Sequence, residues 1–217
     1  GRVVRVYCAC DGGVGGGGQS WGWLALHTRV AKLDPRIRSG TTLGASIDYS
    51  GTKTVFHSLI KWIWATYLMP AVPLGGLTRS MAPLALAFDN PIDRVNVFPS
   101  NVDRRLYRRL VGTAFHGISS PVLRSLSKAF RPGGLCDENG DGYGDAVPGE
   151  TPVLALAGTK DVQCAPEAAA RRSTEMRAFG RAFDHEDDYG HFDLIMGKRA
   201  ATETWPVLAE WLASHDS

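Results

Sequence analysis

The 217-residue sequence has no C-x-x-C pair; its four cysteines, Cys8, Cys10, Cys136 and Cys164, stand at irregular spacings. That excludes zinc ribbons and thioredoxin-like redox motifs, and leaves the cysteines silent about compartment. There is no long run of lysine or arginine, and the net charge is only +2. Arg104, Arg105, Arg108 and Arg109 make one small basic helical face, too little for the electrostatic footprint of a nucleic-acid partner. Long apolar runs are missing too. Residues 56–68 are interrupted by Lys61 and stopped by Pro70, short of the roughly 20 residues that cross a bilayer. No internal repeat is legible, nor any leader pattern at Gly1, where the sequence already reads as strand, so localisation stays open.

What is present is the composition of an ordinary globular protein, long enough for one good core or two small ones. Residues 3–9 (VVRVYCA) alternate and are β-branched, so they read as a strand. A glycine-rich loop follows, then a helix over 21–32 and a second strand over 37–45. Residues 54–130 change character: apolar helical segments over 55–69, 74–87, 102–115 and 121–130 are separated by prolines, with no strong strand signal. After a Gly/Asp-rich loop, PVLALA (152–157) is a short continuous apolar run, the mark of a strand buried on both faces. A weaker strand over 176–183 and a helix over 200–214 close the chain. This order predicts an α/β fold with a mostly parallel sheet and an inserted helical cap. The expected units are 1–53, the first part of the core; 54–130, the cap; and 131–217, the second part of the core.

The stretch CDGGVGGGGQSWG (10–22) fits three patterns at once. Gly13 to Gly18 satisfies the dinucleotide fingerprint, with Asp48 past the second strand as the acid for a ribose. With six of the eight residues at 11–18 glycine, that match is nearly automatic. Gly13 to Ser20 resembles a phosphate-binding loop, but Gln19 stands where a lysine must carry charge to the phosphates. Gly18-Gln19-Ser20-Trp21-Gly22 satisfies the G-x-S-x-G of a nucleophile elbow.

Elsewhere the chain supplies what an elbow serine needs. PVLALA runs into Gly158-Thr159-Lys160-Asp161, placing an acid just past a strand end. The last strand is followed by Tyr189-Gly190-His191-Phe192-Asp193, placing a histidine before the last helix. The order Ser…Asp…His on loops at strand ends is the arrangement for nucleophilic catalysis.

On those segments the sequence resembles the α/β-hydrolases of bacterial lipase/esterase type. "PVLALAGTKD", "YGHFDLIMG" and "DPRIRSGTTLGASIDYSGT" carry the resemblance, which spans about residues 18–214. It implies a carboxylic-ester hydrolase with Ser20 as nucleophile, Asp161 as orienting acid and His191 as general base and acid. The Trp21 backbone N–H would be one oxyanion donor. The substrate would be a small-molecule ester or lipid, and no cofactor is expected.

Two departures leave alternatives open. By strand register, Cys10 sits where the family's nucleophile belongs, as in cysteine-using polyester synthases and acyltransferases; yet the glycines after it are poor helix formers, each costing about 1 kcal/mol. The family's first strands also have no counterpart here, and with them goes the loop that carries the second oxyanion donor. A truncated or frame-damaged relative without catalysis is therefore a further alternative.

Three other features invite a functional reading. Asp137, Asn139, Asp141 and Asp145 follow a calcium-loop pattern, but its twelfth position is Pro148 rather than a bidentate glutamate, so a solvated loop is favoured over calcium. Asp184, Glu186, Asp187 and Asp188 read as a solvated loop carrying His191, with Asp188 a reserve orienter. Trp62, Trp64 and Tyr67 with Leu59, Ile63 and Leu68 read as cap core, as a wall for an acyl chain, or as both.

Overall fold

The computed structural model describes residues 39–137, 139–143 and 152–215. The expected strand at 3–9, the glycine loop, the helix at 21–32, Cys10, Ser20, Trp21 and Asp145 lie outside these residues.

Three parallel strands form the central sheet, in the order β1 (Gly40–Leu43), β4 (Val153–Gly158), β5 (Glu175–Phe179). Gly40 pairs with Val153 and Leu43 with Leu156 on one side of β4; Leu154 pairs with Glu175 and Gly158 with Phe179 on the other. All six residues of β4 are buried, as its unbroken apolar run requires. Alternation along the strand divides the work. Leu154 and Leu156 pack with Leu43, Phe179, Tyr189, Leu194 and Trp211, so their face is covered by the closing helix. Ala155 and Ala157 point the other way, against Ala168 and Ala169, where small side chains let a short helix approach closely.

Between β1 and β4 the chain runs through mainly helical structure. It comprises α1 (Phe56–Ile60), α2 (Leu74–Met81), α3 (Pro91–Asn96), α4 (Arg104–Thr113) and α5 (Ser120–Ser127), with 3-10 turns at Ile63–Tyr67, Ala82–Leu84, Pro99–Asn101 and Lys128–Phe130. Two differences from the sequence reading are informative. Prolines 91 and 99 fall in the interval expected to separate two helical segments, yet Pro91 opens α3: the Asn90 side chain accepts from the Asp93 backbone N–H (2.9 Å) and proline occupies the first turn. The pair β2 (Ala71–Val72) and β3 (Ile118–Ser119) forms an antiparallel ribbon two residues long, below the length at which alternation is readable. A core of this block's own gathers Ala82, Ala85, Leu86, Val97, Tyr107 and Val111, and Phe192 joins it from the far end of the chain.

Cap core is not where Trp62, Trp64, Tyr67 and Leu68 sit: all four are exposed. The helical segment expected over 55–69 breaks after Ile60 and resumes as a 3-10 turn, so its apolar residues are not held on one inward stripe. After β4 come α6 (Pro166–Ala169), α7 (Asp193–Met196) and α8 (Thr204–Ser214). Among the described residues no helix is long and apolar enough to cross a membrane.

Candidate active site

The C-terminal ends of β1, β4 and β5 lie side by side, and the loops leaving them converge. Asp161 stands three residues past β4, where its N–H donates to the Gly158 carbonyl in a tight turn (3.1 Å). Its carboxylate is oriented from behind: Oδ1 accepts from the backbone N–H groups of Gln163 (2.8 Å) and Cys164 (2.9 Å). The other oxygen, Oδ2, lies 2.8 Å from His191 Nδ1. Both side chains are buried, at 0% and 3% exposure, so the pair is withdrawn from competing water. A charge-assisted bond of this length fixes the ring's orientation and puts the proton on Nδ1, which leaves Nε2 as the acceptor nitrogen. Phe192 stands edge-on to the imidazole at 5.2 Å, a second restraint on the ring.

Two glycines that sequence reasoning passed over make the pair possible. Gly44, the first residue after β1, has φ +61°, and a Cβ there would lie 2.8 Å from Asp161 Oδ2 and 3.0 Å from His191 Nδ1. Gly158, the last residue of β4, lets the histidine loop cross it; a Cβ would meet the Tyr189 carbonyl oxygen at 2.4 Å. Glycine at a strand end was the available signal.

Asp193 was not singled out either, although it lies two residues from His191. Its Oδ2 accepts from the backbone N–H of Gly190 (2.7 Å) and of Phe98 (2.7 Å), tying the histidine loop to the chain between α3 and its following turn. Burial pushes its carboxyl up to about 7, and the nearby Asp161 adds to that rise. The two N–H bonds and the facing His191 oppose it. The same segment grips both loops: Phe192 N–H donates to the Asn96 carbonyl (2.9 Å), and Gln163 Nε2 to the Val95 carbonyl (3.0 Å).

Other sequence candidates are placed elsewhere. Asp188 is no orienter of His191, because its Oδ1 accepts from Thr159 Oγ1 (3.0 Å) and Arg181 N–H (3.2 Å). Asp48, the acid suggested for a ribose, is taken up by Ser50 and by Arg171 at 3.1 Å. In the acidic loop, Asp137 Oδ1 accepts from the N–H groups of Asn139 and Asp141, closing the loop on itself. Among the described residues no three His, Cys, Asp or Glu side chains gather as they would to hold a metal. Ser20, Trp21 and Cys10 lie outside the described residues.

No protein-family model matches the sequence, and no curated protein matches it. Among solved structures the chain is similar to the crystal structure of a monoacylglycerol lipase from Paleococcus ferrophilus, with a TM-score of 0.50 and 16% identity. The match covers 90% of this chain and 66% of that one, so the chain spans just under two thirds of the lipase's length.

Proposed function

We propose, from the α/β-hydrolase fold of this chain, that it is a carboxylic-ester hydrolase working through Ser20, His191 and Asp161. The observation that carries the proposal is the buried His191–Asp161 bond at the carboxyl ends of parallel strands. In this fold class that edge of the sheet is where ligands bind, and a desolvated Asp–His pair is what a serine hydroxyl needs beside it to become nucleophilic.

The steps follow from the chemistry of the groups. Ser20 Oγ attacks the ester carbonyl while His191 Nε2 takes its proton, and Asp161 stabilises the imidazolium that forms. The Trp21 backbone N–H donates to the developing oxyanion, and the alcohol leaves with the proton returned by His191. A water then attacks the acyl-enzyme, again deprotonated by His191, and the acid is released. On this reading the substrate is a small-molecule or lipid ester, and residues 54–130 act as the cap over it. No step requires a cofactor.

Hydrolysis of p-nitrophenyl esters of graded chain length tests the proposal. The purified chain should turn over at least one of them, and Ser20→Ala and His191→Gln should each abolish turnover. If Ser20→Ala retains full turnover while Cys10→Ser loses it, the nucleophile is Cys10. Absence of turnover on every ester by a folded chain contradicts the proposal.

A further inference from the structure

Among the described residues, two of the three exposed tryptophans and four further exposed large apolar side chains fall in one short stretch, while Phe88, Phe183 and Trp205 are exposed elsewhere. Trp62, Trp64, Tyr67 and Leu68 are 65%, 56%, 74% and 77% exposed, with Leu59 and Met69 beside them. The two indoles sit next to each other, their ring centroids 6.3 Å apart. A contiguous exposed apolar patch is costly in water and marks an interaction surface. Its make-up narrows the partner, because tryptophan and tyrosine favour the boundary between headgroups and acyl chains, where one end of the ring is apolar and the other wet.

Charge narrows it further. Between Asp48 and Asp89 the sequence has no acidic residue at all, while Lys53, Lys61 and Arg79 fall within that interval. Directly beside the patch lies a cavity of about 710 Å³ whose lining includes Ile63, Tyr67, Arg124, Lys128 and Arg131. The Arg124 guanidinium lies over the Tyr67 ring, 4.4 Å from its centroid, and donates to the Thr66 carbonyl (3.0 Å). Lys128 Nζ donates to the Asp137 carbonyl (3.0 Å). These bonds hold two cations in place and use only part of their donor capacity, since a guanidinium carries five N–H donors and an ammonium three. The acid of the cavity, Asp137, has Oδ1 turned onto its own loop. Tyr67 belongs to both features, so the aromatic patch and the cationic cavity are continuous.

We infer that this face docks on an anionic phospholipid surface, with Trp62, Trp64 and Leu68 entering the headgroup boundary and Arg124, Lys128 and Arg131 receiving phosphate headgroups. The apolar side chains supply burial and the cations supply attraction to the negative leaflet, which weakens as salt rises.

The test uses the full chain and vesicles of ether-linked lipids, which contain no ester bond. Docking and ester hydrolysis are thereby read separately, and either can fail alone. Vesicles of phosphatidylcholine are compared with vesicles containing about 30% phosphatidylglycerol, a charge density ample for such attraction. The chain should co-sediment with the anionic vesicles, with a blue shift of tryptophan emission, and little with the neutral ones. Trp62→Ser/Trp64→Ser and Lys128→Glu/Arg131→Glu should each lower the partition coefficient at least tenfold while leaving the thermal unfolding transition in place. Millimolar inorganic phosphate should leave binding intact. Equal binding to both vesicle types, unchanged binding by either double variant, displacement by millimolar phosphate, or a salt-stable dimer that dissociates in Trp62→Ser/Trp64→Ser would overturn the inference.

Discussion

The α-carbon of Gly44 faces the carboxylate of Asp161 so closely that a single added methyl would sit 2.8 Å from Oδ2, the oxygen that binds His191. The end of β1 thus forms the floor under the Asp–His pair, although Gly44 is distant in sequence from both. Gly44→Ala meets two penalties: a left-handed φ of +61°, costing about 1–2 kcal/mol for an L residue, and a clash that displaces the pair. We expect ester turnover to fall about 100-fold, the scale of an ångström-sized misplacement, with a lowered melting temperature. Turnover within twofold of the parent would show that the pair tolerates the shift.

Asp161→Asn separates orientation from architecture. The amide oxygen can still accept from the Gln163 and Cys164 N–H groups. The NH2 then faces His191 Nδ1 and forces the proton to the other nitrogen. The expected outcome is a loss of about 10⁴ in turnover with a nearly unchanged melting curve. Loss of the fold instead would mean that the carboxylate is chiefly structural.

Asp193 ties stability to pH. Burial raises its carboxyl from 3.8 to about 7 in the folded chain, so the folded state keeps a proton that the unfolded state releases. Its contribution is fully present below pH 3.8 and is lost as pH rises through about 7. Asp193→Asn cannot ionise, so its stability relative to the parent should rise across that window, on the order of 1 kcal/mol per pH unit, and level off above it. Chemical denaturation at a series of pH values measures this. Parallel stability profiles for the two proteins would contradict it.

Exposure makes the aromatic patch dispensable for folding. Trp62→Ser/Trp64→Ser should change unfolding free energy by no more than about 0.5 kcal/mol per site, as surface substitutions do, whereas burial as cap core would cost several kcal/mol. Equilibrium denaturation of the double variant decides between the two.

These contrasts show what the sequence could and could not reveal. β4 was legible because a strand buried on both faces has an unbroken apolar run, and Asp161 and His191 because each follows a strand and precedes a helix. Gly44 was not, because its role depends on contact with residues from two distant loops. Asp193 was hidden for the same reason: one of its two bonds reaches Phe98, 95 residues away. For Trp62 and Trp64, apolar character alone does not say whether anything covers the residue, and the break after Ile60 turned them outward. Pro91 misled by type, since proline both ends helices and begins them.

The most direct test of the account is labelling of the folded chain with a fluorophosphonate, followed by peptide mass spectrometry. The account predicts a stoichiometric adduct on Ser20 that disappears in His191→Ala. A folded chain that carries no adduct on Ser20, or one whose Ser20 labels equally well without His191, would contradict it.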